Sequence, residues 1–274
     1  MATTDVKAPR RASEAGPALD VRTRARNHAI ASIGSVLLVW LLVTSVFGLL
    51  DPETLPSPLD VARAIATLAV DPFSGSTLFG HVASSVQRWG LGVLAAVLIG
   101  VPTGALLAWI PPVRAAVTPV FELLRYIPPF AWIPLAVLWF GAGLTAQSAV
   151  VFVAAFPPMV INAQLGVAQV DPLLDKAARA LGASSATTLA RVVFPVATPS
   201  ALAGVRIGLS NGWMALIGAE LVVGSEGLGF VISQAQSNGE TEVIVAGMVC
   251  IGVLGMLFDL ALQKLSARAL RWHA

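Results

Sequence analysis

The chain has 274 residues, of which 56% are hydrophobic and only 12% charged, with a mean hydropathy of +0.80. A soluble domain carries about 25% charged residues, so this balance excludes an ordinary soluble enzyme, a disordered chain and a nucleic-acid binder. The formal charge is only +2, so the positions of the charges carry more information than their sum. Cys250 is the single cysteine, which rules out an intrachain disulfide. His28, His81 and His273 are far apart and none lies within an apolar run, so no metal site and no cofactor is expected.

The first 27 residues are polar and hold Lys7, Arg10, Arg11, Arg22, Arg24 and Arg26. They read as a partly disordered tail. The apolar run after them is longer than the core of a cleaved signal peptide, about 7–15 residues, which favours a retained helix. A membrane-crossing helix needs about 20 mainly apolar residues. Six segments qualify: 30–50, 89–110, 116–141, 147–167, 200–223 and 243–264. The third carries Glu122 and Arg125 near its start. It reads either as one span or as a short interfacial helix followed by a tighter span from Arg125. The fourth is interrupted by Pro157 and Pro158.

Positive charge selects the inner side. With the N-terminus inside, the inner segments add Arg114, Lys176, Arg179, Arg191, Lys264, Arg268 and Arg271 to the six of the tail. The outer segments hold only Arg63 and Arg88. The expectation is an all-α polytopic membrane protein with six transmembrane helices and both termini inside. The long outer segment 51–88 predicts a short helix over 61–70 capped by Asp60, a break at 71–76 and a second helix over 78–88.

The loop over 170–198, between the fourth and fifth spans, is amphipathic. Asp171 is suited to cap a helix and Pro172 to its first position. Leu173, Leu174, Ala177, Ala178 and Leu181 recur at helical spacing, with Lys176 and Arg179 opposite. Gly182 suits a left-handed helix end. Ser184 or Ser185 would cap a second short helix over 186–193, which Pro195 and Pro199 end. The small residues Ala177, Ala178 and Gly182 let another protein approach the backbone. The plainer alternative is an amphipathic loop packed on its own bundle.

The pattern Lys176-Ala177-Ala178, Gly182, Val192 and Phe194-Pro195 resembles the EAA loop of the permease subunits of binding-protein-dependent ABC importers. Lys176 stands where that family has Glu, with Asp175 one place earlier, and Phe194 stands for Leu. Arg125-Tyr126-Ile127-Pro128, Ile133-Pro134-Leu135 and Trp139-Phe140-Gly141 resemble the subfamily that imports nitrate, sulfonates and taurine. The resemblance covers most of 55–265 and leaves out the tail, 1–27, so that 28–274 would be the transmembrane domain. It implies a permease without a catalytic site, in the bacterial inner membrane. Its partners would be a second copy, two ATP-binding subunits and an extracytoplasmic binding protein or lipoprotein. Asp175, Lys176, Ala177, Ala178, Arg179, Leu181 and Gly182 would then couple ATP use to transport of a small anion such as a sulfonate, taurine or nitrate. The chain has no G-x-x-x-x-G-K-[ST] phosphate loop, so the ATPase would be separate.

Polar groups within spans are costly and mostly face protein or water. Candidates for a translocation path are Tyr126 and Trp132 of the third span and Arg206, Ser210, Asn211, Trp213 and Glu220 of the fifth. Their alternative role is interhelical bonding. Glu220 suits either a gate or a structural ion pair, and Arg206 either snorkels or attracts an anion. Glu122 and Arg125 have the spacing of a helical ion pair. Asp259 lacks a cation three or four residues away and needs a partner from another helix. A secondary transporter or channel remains the alternative, although neither a repeat nor a coupling-ion site is visible. An intramembrane enzyme would need a nucleophile and base at one depth, and Ser210 has no evident base.

Overall fold

The structure is a computed structural model and describes residue 28 and residues 31–270 except 49 and 52. The expected tail, 1–27, lies outside the described residues. Among the described residues the chain is helical without strands; a lone bridge joins Phe73 and Ser76.

The described residues up to 59 form a unit of their own. Its helix α1, Ala31–Val46, is shorter than the expected span and ends in a π turn, Leu42–Val46. Trp40 Nε1 donates to the Pro56 carbonyl at 3.1 Å.

The second unit, 60–274, contains the bundle. Helix α2 is Pro58–Val70 and turns Val61, Ala64 and Leu68 inward. Asp60 lies inside its first turn and pairs with Arg63 at 3.2 Å, so it is not the expected cap. Helix α3, Leu78–Trp109, is one 32-residue rod. The expected helix over 78–88 and the second span are continuous, because no residue between them breaks the ladder. His81 therefore lies in a spanning helix, contrary to the expectation.

The third expected span is broken. Helix α4, Pro111–Arg125, is followed by a tight turn, Pro129–Trp132, and by α5, Ile133–Phe140. The two arms meet at 95°. Pro128 and Pro129 lack the amide protons a continuous helix requires, and Pro129 disfavours helical geometry at the residue before it. Helix α6, Leu144–Ala168, runs straight through Pro157 and Pro158.

Helix α7, Pro172–Ala180, precedes α8, Ser185–Val223, of 39 residues. Pro195 and Pro199 do not end a helix before the fifth span. A π turn over Leu189–Val193 widens the helix just ahead of Pro195, where its ring would otherwise crowd the preceding turn, and Pro199 is carried inside it. Helices α9, Leu228–Asn238, and α10, Thr241–Ala269, complete the chain. Among the described residues four helices (α3, α6, α8 and α10) are long and apolar enough to cross a membrane, or five if the bent α4–α5 pair is counted as one span.

Helix α6 is the centre of the bundle, with α3 on one side and α8 on the other. One apolar cluster, Ala105, Val167, Val193 and Ala197, marks the end near α7. A second, including Ile133, Ala146, Val150, Ala215 and Ala219, marks the end near α9. Small residues allow this close contact. A Cβ on Gly204 would lie 2.6 Å from Asn162 Cβ and 2.8 Å from the Pro158 carbonyl oxygen.

Gly204→Val is expected to separate α6 from α8 and to cost about 1–3 kcal/mol through overpacking. Thermal unfolding in detergent measures this, with Gly252→Ala, which meets open space, as the control.

Candidate functional site: a crosspiece, a cleft and three charge pairs

The α7 crosspiece is formed as its residues demand. Asp171 Oδ1 accepts from the Leu173 amide at 2.8 Å. Gly182, at φ +83°, closes the helix: the Ala183 amide donates to the Ala178 carbonyl at 3.0 Å and the Gly182 amide to the Arg179 carbonyl at 2.9 Å, a Schellman end. Ser184 Oγ then accepts from the Thr187 amide at 3.2 Å and starts α8. Arg179 is held by Asp175 at 3.0 and 3.1 Å and reaches Ser185 Oγ at 3.4 Å.

No residue of α7 is buried. Leu173 is 68% exposed and Leu181 89%. An amphipathic loop seated on its own bundle would cover such residues. Thr188, at the start of α8, is by contrast fully buried.

The proposed path residues do not form one lining. Trp132 and Asn211 lie together on a cleft of about 430 Å³ between the α4–α5 elbow, α6 and α8. Its walls are Phe121, Phe152, Phe156, Pro157 and Arg125. Trp132 Nε1 is buried without a hydrogen-bond partner among the described residues. Arg125 Nε donates to Glu122 Oε2 at 2.6 Å and Nη2 to the Tyr126 hydroxyl at 3.1 Å, with its guanidinium 4.6 Å from the centre of the Tyr126 ring.

Arg206, Ser210 and Trp213 lie on another face of α8. They line a smaller hollow of about 150 Å³ with Trp89, Phe258 and Asp259. Arg206 grips Asp259 with two bonds of 2.6 and 2.8 Å, and Gln263 donates to the same carboxylate at 2.7 Å. The interhelical partner that Asp259 requires is thus Arg206. Trp213 is buried and donates to the Ile251 carbonyl at 3.2 Å. Trp89 stacks on Phe258 at 4.3 Å. These contacts join α3, α8 and α10, and they are packing contacts.

Glu220 belongs to neither place: it is 0% exposed. It accepts from Ser85 Oγ at 2.8 and 3.0 Å, from Arg88 Nη1 at 3.3 Å and from the Gly229 amide at 3.0 Å. Arg88 also donates to the Glu226 carbonyl at 2.7 Å, and Ser85 Oγ accepts from the Leu228 amide at 2.9 Å. His81 Nε2 donates to the Phe73 carbonyl at 2.9 Å and Nδ1 accepts from the Gly227 amide at 3.2 Å. That pairing assigns the neutral tautomer protonated at Nε2. Glycine at 227, with φ +113°, lets the chain pass against the Glu220 carboxylate, where a Cβ would collide. Of the two roles Glu220 suited, this is the structural ion pair.

Sequence reading missed Ser85, Arg88 and His81, which sit at the polar start of α3. The one available signal was their spacing: residues 81, 85 and 88 share a helical face.

Glu220→Ala leaves Arg88, Ser85 and the Gly229 amide without their carboxylate. The expected loss is about 3–5 kcal/mol, as for other broken buried pairs. Thermal unfolding should show it, with hydrogen exchange rising at 224–230.

Residues 96–271 match the family described as the binding-protein-dependent transport system inner membrane component. The chain is 38% identical over 246 residues to the taurine transport system permease protein TauC of Escherichia coli K12, covering 89% of each. It is 31% identical over 233 residues to the nitrate import permease protein NrtB of Synechocystis, covering 83% of each. It is 30% identical to the putative aliphatic sulfonates transport permease protein SsuC of Bacillus subtilis, over 87% of this chain and 84% of that one. In fold it is similar to a chain of the inward-facing MetNI methionine ABC transporter, with a TM-score of 0.62 at 22% identity, covering 70% of this chain and 97% of that chain. With the match spanning most of the helical bundle, this multi-pass chain belongs to the family of binding-protein-dependent transport system inner membrane components, the permease subunits of ABC importers.

Proposed function

We propose that the chain is the permease half of an ATP-driven importer working by alternating access, with two copies enclosing the path. Two separate ATP-binding subunits dock from inside and a binding protein or lipoprotein delivers solute outside. The observation that carries this reading is the crosspiece: a capped, glycine-ended helix with its apolar residues uncovered, joined by the short turn 181–184 to a 39-residue helix. Asp175, Lys176, Ala177, Ala178, Arg179, Leu181 and Gly182 form the joint with the ATP-binding subunit. The chain itself is not an enzyme; ATP is hydrolysed by its partner.

The charge split of the loops supports both termini inside, with α1 as the first of six spans and 1–27 as an inner tail. The solute belongs to the sulfonate, taurine and nitrate kind, a reading supported by the names of the relatives and by their identity over most of the chain. The path runs past Trp132 and Asn211, because that cleft is the larger of the two openings and holds an unsatisfied donor, while Tyr126 bonds to the lining residue Arg125. Arg206, Ser210, Trp213 and Glu220 hold the helices in place around it.

Ala178→Glu adds a charge and bulk to the small-residue face. The ATP-binding subunit should cease to co-purify, and uptake in proteoliposomes should fall by about tenfold or more, since tenfold corresponds to only about 1.4 kcal/mol of docking energy. Normal co-purification and uptake would refute the joint. Uptake without an ATP-binding subunit or nucleotide would favour a secondary transporter.

A further inference from the structure

One wall of the cleft beside Trp132 and Asn211 is a short piece of chain with a backbone break at each end. The elbow turn, Pro129–Trp132, and α5, Ile133–Phe140, run on without a gap and form one panel, 129–140. Pro129 and Trp132 line the cleft. Pro128 and Pro129 interrupt the helical ladder ahead of the panel. Gly141 and Gly143, at φ +75° and +143°, follow it. Nothing stands within 4 Å of where a Cβ on either glycine would lie. A few such positions at the ends of an element are what a moving segment uses as hinges.

The panel bounds the cleft on the side of α9. Ala154 of α6 lines the cleft and also belongs to the apolar cluster near α9. In that cluster Ile133 and Ala136 of the panel meet Ala146 and Val150 of α6 and Ala215 and Ala219 of α8. Phe130 adds a contact of its own. Its ring lies against the backbone of α8 at Gly218, where a Cβ would collide with Cε1 and stand 2.7 Å from Cδ1 and 3.0 Å from Cζ. Positions 211 and 218 differ by close to two helical turns, so they share one face of α8, about 10 Å apart along its axis. Asn211 faces the cleft, and Phe130 covers the same face just beyond it, toward α9. The ring is 51% exposed, so it can leave this seat without emptying a core. The bundle does not depend on the contact, because α6 and α8 are also joined backbone to side chain at Gly204 and Gly208.

We infer that the panel 129–140 is the outer gate of the path and that Phe130, seated on Gly218, is its latch. The inference rests on the import reading above and adds the part that moves, whatever the solute. With the ring on its seat the cleft is shut toward the α9 end, which is the outer end on the charge split of the loops. When the ATP-binding subunits close, their push on α7 tilts α8, Gly218 withdraws from the ring, and the panel turns about its two breaks. The cleft then opens outward. Glycine at 218 is required for closure, since any Cβ there holds the ring off α8.

Cross-linking tests this in the purified complex of the permease with its ATP-binding subunits and binding protein. Cys250→Ser removes the native thiol and gives the parent, to which Phe130→Cys and Gly218→Cys are added. A short bifunctional methanethiosulfonate should join the two cysteines in the absence of nucleotide, read as a linked peptide by mass spectrometry. With ATP and vanadate, which hold the ATP-binding subunits closed, joining should slow about tenfold or more, as for a seated state reduced to about 10% of the population or less. In proteoliposomes the joined complex should lose ATP-dependent uptake of 2-aminoethanesulfonate, ethanesulfonate and nitrate, and regain it on reduction with dithiothreitol. Independently, Phe130→Ala and Gly218→Val should release preloaded solute without nucleotide, while Phe130→Leu and the parent retain it. No joining in the nucleotide-free complex, a joining rate indifferent to nucleotide, uptake undiminished by the link, or retention of solute by Phe130→Ala would each overturn the inference. In each of these cases, ATP-dependent uptake by the unlinked parent leaves the import reading standing. A parent that takes up none of the three solutes removes both.

Discussion

A charge inside lipid must be neutralised by the protein itself, and the arrangement of these helices follows from meeting that demand twice between helices. Arg206 and Asp259 are 53 residues apart in sequence and meet as a two-bond clasp between α8 and α10. Arg88 and Glu220 tie α3 to the far end of α8 and, through Gly229 and the Glu226 carbonyl, fix the loop into α9. Small residues then bring α3, α6 and α8 close enough for dispersion to hold the centre. Electrostatics at the ends and tight backbone contact in the middle are complementary, because apolar side chains gain little by leaving lipid for one another.

Both polar clusters also explain local backbone choices. Glycine at 227 is required because the chain must run against the Glu220 carboxylate, and glycine at 229 because the start of α9 lies against the Ile217 carbonyl and the Glu220 Cβ of α8. The elbow at Tyr126–Pro128 has a different cause. The adjacent Pro128 and Pro129 deprive the helix of donors, and a largely aromatic cleft forms where the helix cannot continue.

Much of this was legible in the sequence. Apolar length located α3, α6, α8 and α10, and capping chemistry located the two ends of α7 at Asp171 and Gly182, while it left Ser184 and Ser185 as alternative caps of the next helix, of which the fold uses Ser184. The partner for Asp259 was required by elimination, although only the fold could name Arg206. What the sequence obscured were the places where tertiary contact overrides local punctuation. Pro195 and Pro199 read as stops, but a π turn absorbs the first and the helix carries the second. His81, Ser85 and Arg88 read as an outer loop, yet α9 covers them. The path residues of α8 could not be sorted, because rotation of that helix relative to its neighbours decides which side chain meets the cleft. Asn211 faces it, while Trp213, two residues on, packs against α10.

The unbroken run from Ser185 to Val223 has a mechanical side. At 1.5 Å per residue, its 39 residues make a rod roughly 58 Å long, nearly twice the thickness of a hydrocarbon layer. It begins at Ser185, just after the crosspiece, and ends next to the sealed carboxylate at 220. A rod of that reach multiplies angle into distance: a tilt of about 10° displaces its remote tip by roughly 10 Å. The single stretch where such a rod yields most easily is the widened turn at 189–193, so stiffness there sets how faithfully a small push at one surface becomes a swing at the other.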